Sequence, residues 1–203
     1  MTPADLRRAV RHLRAVDPVL GRLIRDVGPC GYGVDRGGGP FAALAEAIVY
    51  QQLAGAAAAT IHRRLCALVG RKHPRPQDIA GRSDLELRSV GLSRQKIGYL
   101  RDLVARVQDG LPLRRLPRLS DEAVIDSLTA VKGIGRWTSE MFLMFRLGRL
   151  DVLPVDDLGI RKAMQKAWRK RVLPKPAWMQ ETAEPWRPYR SVACWYLWKS
   201  LEG

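Results

Sequence analysis

An all-α fold is predicted by two features of this 203-residue chain. No apolar/polar alternation runs long enough to build a sheet, and helix-start signals recur along the sequence. The organising stretch is Leu128–Ile160, where a Gly-x-Gly turn joins two helical segments and a later loop delivers the pair Asp156-Asp157.

Taken in order, Thr2-Pro3 and Asp17-Pro18 each set an N-cap residue before a proline suited to the first helical position. They predict helices over about Pro3–Val16 and Pro18–Val27, the second stopped by Gly28-Pro29. Gly31–Pro40, with three consecutive glycines at Gly37–Gly39, is a linker at a lobe boundary. The Ala-rich run Phe41–Val69 is too long for one ordinary helix and should break between Gln52 and Gly55. Ser83-x-x-Glu86 is a capping box for a short helix ending at Gly91. Ser93 starts a helix to Asp109, and Leu111–Leu119 is a proline-containing connector. Ser120 then caps Asp121–Val131, which enters the Gly-x-Gly turn. Beyond Asp157 a basic helix runs to about Trp168, another covers Pro176–Glu184, and a last one begins near Pro188 and carries Trp195 and Trp198. We expect one functional unit, 1–203, of two lobes flanking a cleft: about 41–150, with the hairpin at about 121–147, and 1–36 plus 151–203.

Thirty-five Lys and Arg oppose twenty Asp and Glu, a formal charge of +15. An excess of that size fits a polyanionic partner, nucleic acid above all, although an Arg-rich surface is also a genomic habit. Cys30, Cys66 and Cys194 are odd in number and widely spaced, which suggests neither a disulfide framework nor a zinc site. With no signal-like opening and no run of eighteen apolar residues, the expectation is a monomer in a reducing cytoplasmic or nucleoid setting, without a membrane partner.

The turn Lys132-Gly133-Ile134-Gly135 opens a helix whose first amides lack intrahelical acceptors, a natural seat for a phosphate oxygen. Glycine allows close approach and unusual φ values, and Ile134 should point into the core. Lys132 and Arg136 flank the turn, with Thr138 in the following helix. An ordinary helix–turn–helix corner would show the same Gly-x-Gly.

The run Val131-Lys132-Gly133-Ile134-Gly135-Arg136-Trp137-Thr138 is followed, twenty residues beyond Trp137, by Asp157 in Leu153-Pro154-Val155-Asp156-Asp157-Leu158-Gly159-Ile160. Together they resemble the helix-hairpin-helix DNA glycosylases, in particular the 3-methyladenine DNA glycosylase II branch. The resemblance extends to Ala45–Leu53, Gly91–Lys96 and Trp186–Ser191, in the family's order. It implies a short form without the α/β domain that longer members carry at the N-terminus.

The resemblance implies that Asp157 is the catalytic carboxylate, with Asp156 capping the next helix or tuning its neighbour. The bland alternative is that both aspartates only cap. Trp137 and Trp198 become aromatic walls of a base pocket, and Met141 stands where the family has a tyrosine. Trp195 fits the core equally well. Gln52 or Leu53 matches the wedge that fills the gap left by a flipped base, although a simple helix break would also explain that cluster. In strand-cutting relatives a lysine follows the hairpin; Trp137 there implies a monofunctional enzyme that uses water. Three scattered cysteines cannot supply the four-cysteine iron–sulfur signature of the endonuclease III branch. No cofactor is required, though relatives hold a monovalent cation, Na+ or K+, on hairpin carbonyls that would be those of Thr129, Val131 and Ile134.

The implied activity is excision of alkylated purines, 3-methyladenine and 7-methylguanine first, from double-stranded DNA, leaving an abasic site. The rivals are a DNA-binding hairpin module without catalysis and a glycosylase for oxidised or mismatched bases.

Overall fold

The computed structural model describes residues 2–202, and every regular element among them is helical. Two compact units divide the chain, Met1–Val34 with Leu143–Gly203, and Asp35–Phe142. The sequence reading draws these limits at 1–36 with 151–203 and at 41–150. Residues 143–150 fall in the first unit because Tyr32, buried there, donates its hydroxyl to the Met144 carbonyl at 2.7 Å and the Arg149 carbonyl at 3.3 Å.

The first unit begins with α1 (Pro3–Val16) and α2 (Pro18–Val27). Thr2 caps α1 in a reciprocal capping box with Asp5. Asp17 caps α2 through Oδ1, which accepts from the Val19 and Leu20 amides at 2.8 and 3.0 Å. The other oxygen of Asp17 accepts the Trp186 indole N–H at 2.9 Å, so one buried carboxylate joins a cap to the core. α10 (Leu158–Ala167), α11 (Pro176–Thr182) and α12 (Arg190–Lys199) complete this unit. Leu13, Leu20, Trp186 and Tyr196 fill its centre, and Trp168 stacks on Trp186 at a tilt, 5.7 Å between ring centroids.

The second unit holds α3 (Pro40–Tyr50), α4 (Gly55–Val69), α5 (Pro76–Ala80), α6 (Asp84–Ser89), α7 (Arg94–Gln108) and α8 (Asp121–Thr129). The break expected between Gln52 and Gly55 is present, and Gln52 itself has a φ of +56°. Ser83, Ser93 and Ser120 each accept an amide of their helix's first turn, as expected. α8 ends two residues earlier than predicted, and α12 starts after Tyr189 rather than near Pro188. α9 (Arg136–Phe145) starts in this unit and passes into the first. Leu44, Ile48, Leu65, Leu87, Leu100 and Leu103 make the core, each fully buried.

α5 and two 3-10 turns, Leu116–Arg118 and Glu184–Trp186, escape the sequence reading. They are too short to show a helical period. α5 does carry a local signal, Pro76 at its first position and Asp78 accepting the Arg75 amide at 2.9 Å.

Candidate DNA-binding hairpin and carboxylate site

In the second unit, α8 and α9 flank the turn Ala130–Gly135, which is pinned from three sides. The Ile134 amide donates to the Val131 carbonyl at 3.1 Å, and Ile134 is buried as expected. The Lys132 amide donates to the Asp102 carboxylate on α7 at 2.8 Å. The Gly133 carbonyl accepts from the Gln51 side-chain amide at 2.7 Å. Gly133 has a φ of +82°, and a Cβ there would overlap the Tyr99 ring. Gly135 differs, since a Cβ on it would meet no atom of the chain within 4 Å. Its openness leaves room for an external group at the start of α9, where helix amides lack intrahelical acceptors.

The flanking cations divide. The Lys132 side chain is largely exposed, its ammonium 4.0 Å from Asp102. Arg136 is instead a strut within the hairpin. Its guanidinium forks onto Glu122 of α8 at 2.7 and 3.1 Å, and its Nε lies 3.2 Å from Glu140 on α9. The Arg136 guanidinium holds the Glu122 carboxyl below its ordinary range. Thr138 is buried.

The loop after α3 carries the wedge candidates, and both Gln52 and Leu53 are exposed, Leu53 by 40%. Two braces hold that loop. Besides the Gln51 bond to Gly133, Lys96 of α7 donates its ammonium to the Val49 carbonyl at 2.7 Å. Burial of Lys96 lowers its pKa. Trp137 is 47% exposed on α9, and Met141 lies one turn on along the same face, half-buried.

The first unit holds Asp157, 92% buried by its 8% exposure. It is the N-cap of α10, its Oδ1 accepting the Ile160 amide at 2.7 Å. The cap is therefore Asp157 itself, and Asp156, expected as a possible cap, lies exposed in the preceding turn. The same Oδ1 accepts the Trp198 indole N–H from α12 at 3.0 Å. Trp198 is half-buried and leans on Phe145, 5.9 Å between centroids at 39°. Trp195 is also half-buried, edge-on to Tyr196 at 4.9 Å.

Sequence reasoning missed the supports: Tyr99 under Gly133, Asp102 on the Lys132 amide, Lys96 on Val49, and the contacts of Ser191 described below. Among the described residues, no group of three or more His, Cys, Asp or Glu is placed to hold a metal, and no helix is long and apolar enough to cross a membrane.

A pinned Gly-x-Gly hairpin between two helices, in a chain whose described regular elements are all helical, is a helix-hairpin-helix fold. The chain belongs to the HhH-GPD superfamily of base excision DNA repair proteins, whose family profile matches residues 45–188. It is 36% identical over 202 residues to DNA-3-methyladenine glycosylase 1 of Schizosaccharomyces pombe, covering 97% of this chain and 88% of that one. The alkylbase DNA glycosidase-like protein mag2 of the same yeast is 30% identical over 200 residues, covering 97% and 94%. Among solved structures, the DNA-3-methyladenine glycosidase of Bacillus halodurans superposes with a TM-score of 0.84 at 37% identity, covering 94% of this chain and 88% of that one. S. pombe Mag1 in complex with abasic DNA gives 0.82 at 36%, covering 95% of each.

Proposed function

We propose that this protein is a monofunctional DNA glycosylase that excises alkylated purines, 3-methyladenine and 7-methylguanine foremost, from duplex DNA in base excision repair. The observation that carries the reading is Asp157, a buried carboxylate fixed by a backbone amide and an indole N–H. The names of the relatives and the abasic DNA bound by Mag1 support it.

In this reading the hairpin binds the DNA backbone through Lys132, the open face of Gly135 and the first amides of α9, contacts that position without reading sequence. Gln52 or Leu53 enters the stack as the base leaves it. Flipping costs a few kcal/mol, least for a damaged base. In the hairpin unit, Trp137 and Met141 on α9 offer a face suited to a flipped purine, and in the other unit the Trp198 indole offers one beside Asp157. A cationic alkylated ring gains about 0.5–2 kcal/mol over an indole face.

Bond breaking then follows from charge. As the C1′–N bond lengthens, its electron pair goes to the purine, which leaves neutral, and positive charge grows on the sugar. The Asp157 carboxylate stabilises that charge and accepts a proton from the water whose oxygen bonds to C1′. Trp137 stands where a strand-cutting relative would carry its lysine, so the product is an intact strand with an abasic site. A Na+ or K+ ion at the hairpin would be held by the carbonyls of Thr129, Val131 and Ile134. Val131 keeps a second lone pair beyond the bond from the Ile134 amide, and the ion would add positive field where a phosphate docks.

The test is single-turnover incubation of the purified protein with methylated duplex DNA, scoring free bases and abasic sites. Asp157→Asn should slow release by about a hundredfold or more, the scale of losing one preorganised charge interaction. Wild-type protein that binds DNA but frees no base would return the chain to the binding-module reading. Release of oxidised or mismatched bases in preference to methylated ones would favour the other enzyme reading.

A further inference from the structure

We infer that Trp198 is a positioning residue for Asp157, as the far end of a splint that α12 lays along the loop delivering the carboxylate; this rests on the glycosylase reading above.

Ser191, Cys194 and Trp198 stand at i, i+3 and i+7, a spacing that lines one stripe of α12. All three engage the segment from Arg149 to Asp157. The Ser191 hydroxyl accepts the Val152 amide at 2.9 Å and donates to the Arg149 carbonyl at 2.8 Å, while the Ser191 amide donates to the Leu150 carbonyl at 2.9 Å. Cys194 Sγ lies 3.9 Å from the Val152 carbonyl. Beside this stripe, Arg190 grips the Asp151 carboxylate at 2.6 and 3.1 Å and its carbonyl at 2.8 Å. The stripe ends on Asp157, where the indole N–H reaches Oδ1.

Two donors converge on that oxygen from different elements, the Ile160 amide from α10 and the indole from α12. The amide approaches from the carboxylate's own helix, and the indole adds a direction from outside it. The second donor fixes its plane, and with it the direction in which the carboxylate acts.

An independent observation comes from Gly159. A Cβ there would lie 3.0 Å from Asp157 Oδ1, 3.0 Å from Trp198 Cδ1 and 3.1 Å from Trp198 Nε1. Its backbone is not in the left-handed region, so conformation does not demand glycine. A Cβ would instead press on the indole and the carboxylate and make them give by a few tenths of an ångström, because the indole lies against the bare backbone.

Trp198→Phe tests this, since it keeps an aromatic face for a purine and deletes the N–H. Single-turnover release from methylated duplex should fall about 10–100-fold, the scale of one hydrogen bond to a charged group, with affinity for abasic-site duplex unchanged. Gly159→Ala should do the same from the other side, and carries the test if Trp198→Phe does not fold. In 1H–15N spectra the Trp198 indole N–H resonance should move upfield in Asp157→Asn. Release at the wild-type rate by both variants, or affinity falling in step with rate, overturns the positioning role. So does an indole resonance indifferent to Asp157. If wild type frees no base while Trp198 still reports Asp157, the failure belongs to the glycosylase reading and not to the latch.

Discussion

At Gly133 a φ of +82° and the Tyr99 ring both exclude a side chain, whereas at Gly135 the space beyond Cα is open. The two glycines of one motif should therefore fail differently. Gly133→Ala must adopt a left-handed conformation and displace Tyr99, at a cost of about 2–4 kcal/mol. The expected result is a melting temperature lower by roughly 5–15 °C. Gly135→Ala should melt as wild type does and bind abasic-site duplex several-fold more weakly, read by titration. A stable Gly133→Ala, or a Gly135→Ala that binds normally, would contradict this division. The pattern Gly-x-Gly is visible in the sequence, but the difference between its members is not. Tyr99 lies thirty-four residues upstream, and only the packing of α7 brings its ring beneath the turn.

Among the elements, helix starts were the most legible part of the fold, because a cap is a local event. Thr2, Asp17, Ser83, Ser93 and Ser120 are each readable from their own neighbours, and each side chain accepts a first-turn amide. Legibility ends where a cap does a second, distant job. Asp17 accepts the indole of Trp186, 169 residues away, and Asp157 that of Trp198, 41 residues away. The sequence offers Asp156 as a cap of α10 or a neighbour that tunes Asp157, with capping by both aspartates as the alternative, and the cap is Asp157. The Asp17 junction makes its own prediction. Asp17→Ala removes a cap, about 1 kcal/mol, and leaves a buried indole N–H unpaired, about 1–3 kcal/mol more. Urea unfolding should show a loss of roughly 2–4 kcal/mol with an unchanged slope, and a loss under 1 kcal/mol would mean water replaces the carboxylate.

For the whole molecule, the net charge of +15 sets the character of binding more than any single contact. Affinity for duplex should fall linearly in log–log with salt, at a slope of about −0.9 per phosphate neutralised on B-form DNA. Removing the exposed Lys132 ammonium (Lys132→Met) should make that slope shallower by about one. Arg136→Met should act mainly on stability, because its guanidinium is bound to Glu122 and Glu140. Fluorescence titrations between 50 and 300 mM KCl, roughly the range where such slopes are read, distinguish the two. Equal slopes for Lys132→Met and wild type would remove Lys132 from the DNA contact.

The discontinuity of the first unit bears on how the protein is made. Residues up to Val34 belong with those from Leu143 onward, whereas the hairpin unit is one unbroken stretch. During synthesis, which releases the chain from its N-terminus, the hairpin unit can close on itself while α1 and α2, packed on each other, still lack α10 and α12. Trp198 lies beyond every other element of the site, so Asp157 leaves the ribosome well before the helix that latches it. A nascent chain would thus complete its hairpin before Asp157 receives its second donor.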